Sequence, residues 1–329
     1  MASTRHLVDP ELLPALDATP PSQLSGATLS GLRAARAAAL EQELLLEPDV
    51  PNVDVAERSI AGPDGAPNVR VLLYTPAHAE RSRPALLWIH GGGYVMGTPE
   101  ADGFKMKSLA AEVGCVVISV DYRLAPEAPY PAGVEDCYAA LRWTHAQAEG
   151  LGVDRERVAI GGSSAGGGLA AALALLARDR GELKVAFQLL LVPMLDDRTV
   201  VADDPHPFTG EFTWTTSHNL FGWTALLGQT PGGADVSPYA APARADSLAG
   251  LPPSYVATGA LDLFLEENLE YARRLARAGV PMELHVYPGA YHGFSRTADA
   301  RVSKAYVRDH TQALQRAFES RPARVPVSA

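Results

Sequence analysis

A serine hydroxyl is a weak nucleophile at neutral pH. It attacks a carbonyl when an imidazole takes its proton and a carboxylate orients that imidazole and stabilises its charge. In this 329-residue chain the run Arg157-Val158-Ala159-Ile160-Gly161-Gly162-Ser163-Ser164-Ala165-Gly166-Gly167-Gly168 passes from a β-branched stretch through glycines into an Ala/Leu segment over 169–178. Around Ser164 it reads Gly-x-Ser-x-Gly, a nucleophile elbow that sets a serine where strand turns to helix. Gly162 and Gly166 leave room beside a strained serine backbone. The helix N-terminus that follows favours negative charge developing on a reacting oxygen. Centred on Ser163, the same window ends in Ala165 rather than glycine, so Ser164 is the better candidate. Glycine-rich turns also cradle phosphates, but no Lys-Ser/Thr follows here and the spacing is not Gly-x-Gly-x-x-Gly.

Of nine histidines, His292 is the best placed to act as base, because Pro288-Gly289-Ala290-Tyr291-His292-Gly293-Phe294 puts it in a loop just after the last expected strand. Parallel sheets collect their active groups at the C-terminal strand ends. His145 falls on a helix and His285 inside a strand, where structural roles are expected. For the carboxylate, Asp262 follows the 254–259 strand by a short turn and reaches the same edge. Glu266 and Glu267 are alternatives, but they sit in the first turn of the next helix, where acidic residues favour the dipole. The order Ser, Asp, His is the one used by α/β-hydrolases.

A tetrahedral oxyanion also needs preorganised donors, each worth about 10²- to 10³-fold in rate. The triple glycine at 91–93 lets backbone N–H groups approach closely. Gly92 and Gly93, with the N–H of Ala165, are the expected oxyanion hole; the alternative for 91–93 is a flexible loop.

These residues must be positioned by a scaffold. Val53 to Val55 and Ile60, then 69–74, flank Pro63-Asp64-Gly65 and read as an antiparallel hairpin. Further strands are expected at 85–89, 115–120, 158–161, 185–192, 254–259 and 282–287, several of them unbroken apolar runs. Helices are expected at 104–113, 132–148 and 266–278 in addition to the one after Ser164. This alternation implies an α/β fold with a mostly parallel sheet covered on both faces. The first 50 residues look helical, at 10–16 and 31–47, with Pro48 as a stop. Between Leu195 and Gly250 the alternation breaks into polar residues, prolines and aromatics, with one helix at 217–227. An insertion of this size tends to be functional. We expect residues 1–50 and the insertion at about 196–250 to form a cap on a catalytic domain spanning 51–329, walling an apolar pocket over Ser164 lined by Tyr94, Phe208, Phe212 and Trp214; the alternative is extra core.

Hydrophobic residues make up 47% of the chain, enough for a sizeable core. Lys plus Arg total 28 against 38 Asp plus Glu, a net charge of −10, with no basic cluster among aromatics. Nucleic acid and anionic membrane are therefore not expected partners. Cys115 and Cys137 fall in apolar segments and read as reduced core residues. No stretch reaches the roughly 18 apolar residues of a membrane span, and a cytoplasmic location is the default.

Taken together, His90-Gly91-Gly92-Gly93-Tyr94, Asp121-Tyr122-Arg123-Leu124-Ala125-Pro126-Glu127, Gly162-Ser163-Ser164-Ala165-Gly166-Gly167, Asp262-Leu263-Phe264 and Tyr291-His292-Gly293-Phe294 resemble the hormone-sensitive-lipase-like bacterial esterases, family IV of the α/β-hydrolases. The resemblance implies an eight-stranded α/β-hydrolase fold with a helical cap, hydrolysis of short- to medium-chain carboxylic esters, and no cofactor or metal. It implies that His90 supports the oxyanion loop rather than acting as base, and that two copies pair along the edge at 282–287, where Glu283 and His285 could equally face solvent. Two residues depart from the family pattern: Ser163 replaces a common Asp, and Leu263 a frequent Pro. An amidase or formamidase running on the same triad is the alternative activity. A ligand receptor is a weaker one, since no triad member is missing.

Overall fold

The computed structural model describes residues 3–19, 22–77 and 82–319. The expected ranges 1–50 and 51–329 thus each include residues outside the described ones. Strands β1 (Val53–Ile60), β2 (Val69–Pro76), β3 (Arg83–Ile89), β4 (Val116–Asp121), β5 (Val153–Ser163), β6 (Phe187–Leu191), β7 (Ser254–Gly259) and β8 (Met282–Tyr287) form one sheet in the order β1-β2-β4-β3-β5-β6-β7-β8. The first hairpin pairs Val53 with Pro76 and Ile60 with Val69. Strand β2 runs antiparallel to β4, and every pairing from β4 onward to β8 is parallel.

Helices α1 (Leu13–Ala18), α2 (Leu29–Leu45), α3 (Gly103–Val113), α4 (Ala132–Ala146), α5 (Ala148–Leu151), α6 (Ala165–Arg180), α7 (Thr216–Leu227), α8 (Leu265–Arg277) and α9 (Arg301–Glu319) complete the order. Because successive strand residues point to opposite faces, the core divides in two. Leu87, Ile89, Ile118 and Val256 pack with α4, α6 and α8 on one face. Leu86, Trp88, Val117 and Tyr255 pack with α3 and α9 on the other. Helix α6 is buried all round from Ala165 to Ala177, so its alanines, glycines and leucines serve a helix with no wet face.

Two differences from the sequence reading stand out. Strand β5 starts at Val153, five residues before the apolar run, because Val153 pairs with Arg83 and the polar residues after it are taken up in an irregularity before pairing resumes at Val158 opposite Ala85. Helix α9 was not expected at all. Val302, Ala305, Tyr306, Ala313, Leu314, Ala317 and Phe318 recur there at helical spacing and pack against the second core face, with a polar gap only at Asp309 and His310.

Candidate active site

Strand β5 turns into α6 at Ser164, whose φ of 57° and ψ of −122° lie outside the regions side-chain-bearing residues favour. A Cβ on Gly162 would meet the Gly166 carbonyl oxygen at 2.3 Å, and one on Gly166 would meet that of Ile89 at 2.0 Å. Only glycine closes the turn at both positions. The Ser164 N–H donates to Leu191 O at 2.9 Å, and its carbonyl accepts from Gly168 and Met194 N–H, each at 3.0 Å. The strained serine is thus fixed from both sides.

The C-terminal ends of β5, β7 and β8 share one edge of the parallel array, and the loops leaving them converge. Ser164 Oγ lies 2.9 Å from His292 Nε2, and His292 Nδ1 lies 2.8 Å from Asp262 Oδ2. Asp262 is fully buried, and its other oxygen accepts the Phe264 N–H at 3.0 Å. With Nδ1–H donated to the carboxylate, the histidine presents Nε2 to the hydroxyl as an acceptor. The two loops are stitched together by Leu261 N–H to Ala290 O and Ala260 N–H to Tyr287 O, both 2.9 Å. Between the two adjacent serines, geometry selects Ser164. Glu267, the rejected alternative to Asp262, points elsewhere and accepts the Leu195 N–H at 2.7 Å.

The glycine loop after β3 lies against this elbow: a Cβ on Gly91 would sit 3.3 Å from that of Ser164. Gly93 has a φ of 61°, and the Gly92 carbonyl accepts from Val95 and Met96 N–H, each at 3.1 Å. His90 is buried, stacks on Tyr122 at 4.4 Å and holds Nδ1 2.9 Å from the Gly91 carbonyl, which requires a donating N–H there. Burial pushes its protonation below the usual imidazole range. Tyr122 in turn donates its hydroxyl to the His90 carbonyl at 3.0 Å. No cluster of His, Cys, Asp or Glu among the described residues could hold a metal ion.

The α/β-hydrolase fold family matches over residues 86–296. The chain belongs to that family. It is 36% identical over 296 residues to an esterase, LipI, of Mycobacterium tuberculosis, with 89% of each chain covered. A solved bacterial heroin esterase superposes with a TM-score of 0.91 at 42% identity, covering 97% of this chain and 100% of its own. A hyperthermophilic esterase from the archaeon Pyrobaculum calidifontis gives 0.84 at 30% identity, covering 94% and 98%. The hydrolase sits in the esterase branch that the motifs resemble, its three side chains fit a Ser-His-Asp triad, and its chemistry is carboxylic ester hydrolysis.

The aromatic residues expected to line the hydrolase pocket are dispersed. The Trp214 ring lies tilted 6.3 Å from the His292 ring, where a Cβ on Gly93 would meet it at 2.1 Å. Phe212 meets Tyr291 edge-on at 5.9 Å. Tyr94 is buried beneath the glycine loop against Trp223, with its hydroxyl donated to Met194 O at 3.0 Å, so it packs in the core. Phe208 is half exposed and pairs with His206 on the surface. The sequence reading missed Phe264, whose ring meets His292 edge-on at 5.0 Å, although it stands in the Asp262 motif. It also missed Thr213, which donates its hydroxyl to the His292 carbonyl, and Arg33, which donates to Val95 O, Ala125 O and Glu127. That guanidinium holds the Glu127 carboxyl down to about 2. Neither residue lies in a motif, and each finds its partner far along the chain.

Proposed function

We propose that the esterase works through an acyl-enzyme in which Ser164 is the nucleophile, His292 the general base and acid, and Asp262 its orienting carboxylate. His292 takes the Ser164 proton as Oγ attacks the ester carbonyl. The oxyanion forms against the N–H groups of Gly92, Gly93 and Ala165, and the alcohol leaves with the proton from His292. Water, activated by the same histidine, then releases the acid. The observation that carries this reading is the continuous hydrogen-bond chain Asp262 to His292 to Ser164, set at one edge of the parallel strands.

The substrates are esters of short to medium acyl chains. The N-terminal helices and the insertion at 196–250 act as one cap. In support, Leu24, Leu29 and Leu32 cluster with Val95, Ala125, Trp214, Phe221 and Ala225, so both segments meet over the glycine loop. The enzyme works in the cytoplasm as a homodimer joined along β8, the last strand of the sheet, without nucleic acid. Free, buried Cys115 and Cys137 suit a reducing compartment, and no helix among the described residues is long and apolar enough to cross a membrane. Sedimentation of the wild type and a β8-edge variant, Val286→Lys, tests the dimer.

The deciding experiment is hydrolysis of 4-nitrophenyl esters from acetate to palmitate, beside Ser164→Ala. Turnover that declines beyond medium chains and falls at least about 10⁴-fold in the variant is expected. Substantial hydrolysis by a folded Ser164→Ala protein removes the serine mechanism. Activity confined to matched amides moves the assignment to an amidase.

A further inference from the structure

One turn of the molecule touches the elbow, the residue after the glycine loop and the helix that follows Asp262 without belonging to the site. After β6 the chain reads Val192-Pro193-Met194-Leu195, all buried or nearly so. Val192 adopts a φ of 44°, a left-handed conformation for a β-branched residue that also precedes proline. Such a backbone persists only where its surroundings over-determine it.

Three groups of contacts do so. The Val192 N–H donates to Ala257 O at 2.7 Å, and the Met194 N–H donates to the carbonyl of Ser164 at 3.0 Å. The Met194 carbonyl accepts the hydroxyl of Tyr94, the residue after Gly93, at 3.0 Å. From the other side come consecutive residues of α8: Asn268 donates its amide to Pro193 O at 2.7 Å, while one oxygen of Glu267 accepts the N–H groups of Leu195 at 2.7 Å and Asp196 at 3.4 Å. The second Glu267 oxygen accepts the Thr199 hydroxyl. Helix α8 itself starts from the Asp262 loop, with Leu265 N–H on Asp262 O at 3.1 Å. The elbow, Tyr94 at the end of the oxyanion loop and the helix that follows the acid loop therefore meet at 192–195.

We propose that Glu267 is a positioning residue for ester hydrolysis: from the helix that follows Asp262, its carboxylate fixes the turn at 192–195, and through that turn the Ser164 carbonyl and the oxyanion loop. The carboxylate is buried among neutral donors, and burial pushes its protonation well above the usual range. A buried acid without a structural or chemical purpose would be costly to keep. Such a tie matters for rate, because a reacting group displaced by about 1 Å costs on the order of 10²-fold.

The proposal rests on Ser164 acting as nucleophile, and the test separates the two. Active sites are first counted by stoichiometric inactivation with a 4-nitrophenyl phosphonate, and kcat and KM for 4-nitrophenyl butyrate are then expressed per counted site. If the wild type releases no stoichiometric nitrophenol, the nucleophile assignment fails, whatever Glu267 does. With the wild type titrating normally, Glu267→Ala should lower kcat per site by about 10- to 100-fold with KM changed less than about threefold. Glu267→Gln should recover most of the rate, since its amide oxygen still accepts from Leu195 and a rotated Thr199 hydroxyl can face its NH₂. A lower count of sites with unchanged kcat per site shows a merely structural residue and overturns the proposal, as does a Gln variant as slow as Ala. If Glu267→Ala does not fold, Thr199→Val, which withdraws one donor from the same carboxylate, should still lower kcat per site by a few-fold, and wild-type kcat there overturns the proposal.

Discussion

The two walls of this active site are built by different means. On the sheet side, Ser164, Asp262 and His292 each stand within five residues of a strand end, and backbone hydrogen bonds join the Asp262 loop to the His292 loop and the elbow to the end of β6. On the side of the N-terminal helices and the 196–250 segment, the proposed cap, order comes from side chains that reach across the sequence. Glu211 accepts from Ser3 and Thr4, His218 sits 2.8 Å from the Ser22 carbonyl, Thr213 holds the His292 carbonyl, and Arg33 clasps the loops at 95 and 125. The sheet wall repeats the geometry of its strands, whereas the cap wall depends on individual contacts. Chemistry should therefore fail all at once when the first is cut, and selectivity should drift when the second is.

The sharpest cut is Asp262→Asn. It keeps shape and burial but favours the wrong tautomer of His292, so kcat should fall by about 10³- to 10⁴-fold with the folded state retained, as steady-state kinetics beside a circular-dichroism melt would show. If the loss were below tenfold, the carboxylate would not be orienting the base, and the sheet wall would be as tolerant as the cap.

Next comes Trp214→Ala, which opens space beside Gly93 and His292 without touching the triad. Turnover of the acetate ester should change by less than about tenfold, while the optimum acyl length moves upward, because the binding cost or gain per methylene in an apolar pocket is only about 1 kcal/mol. A chain-length profile identical to that of the wild type would take Trp214 out of the pocket. If the acetate rate collapsed as in the Asp262 variant, the distinction between the walls would be lost.

The smallest effect concerns Glu267 and pH. Its folded-state value is raised, chiefly by burial and further by Asp196, which is itself paired with Arg198; nearby Asp197 is paired with Arg244. Below the ordinary glutamate value both folded and unfolded chains hold the proton, and this group's contribution to stability is fully present. As pH rises toward the folded value, the unfolded chain releases its proton first, so that contribution is lost. Glu267→Gln cannot titrate. Its melting temperature relative to the wild type should therefore climb as pH rises above the ordinary glutamate range, and a difference that stays constant as pH rises contradicts the burial argument.

How much of this was legible before the structure depends on the range of the signal. The elbow, the Gly91 to Gly93 loop and the triad order could be read because each is a local transition from an apolar run to glycine or to a short loop, and a parallel sheet sends such transitions to one edge. The hairpin followed from its own local pattern, two extended runs about Pro63-Asp64-Gly65. Helix α9 was legible as well, in the spacing of Val302, Ala305, Tyr306, Ala313, Leu314, Ala317 and Phe318, but it follows the last catalytic motif and carries none itself. Phe208 and Tyr94 looked like pocket residues because aromatic composition says nothing of direction: one is on the surface with His206 and the other is under the glycine loop.

Glu267 is the most instructive case. In the sequence it is an acidic residue in a helix's first turn, a position the helix dipole explains by itself. In the structure it is buried, and its carboxylate organises a strained turn more than seventy residues earlier in the chain. Residue types and their local spacing determined the reaction, the fold that supports it and the three side chains that fit a triad, since strand, turn and helix periodicities act over a few residues. Tertiary structure alone decided which aromatic ring meets His292, which carboxylate acts at a distance and how the cap is tied down, because those depend on which side chains meet after long loops close.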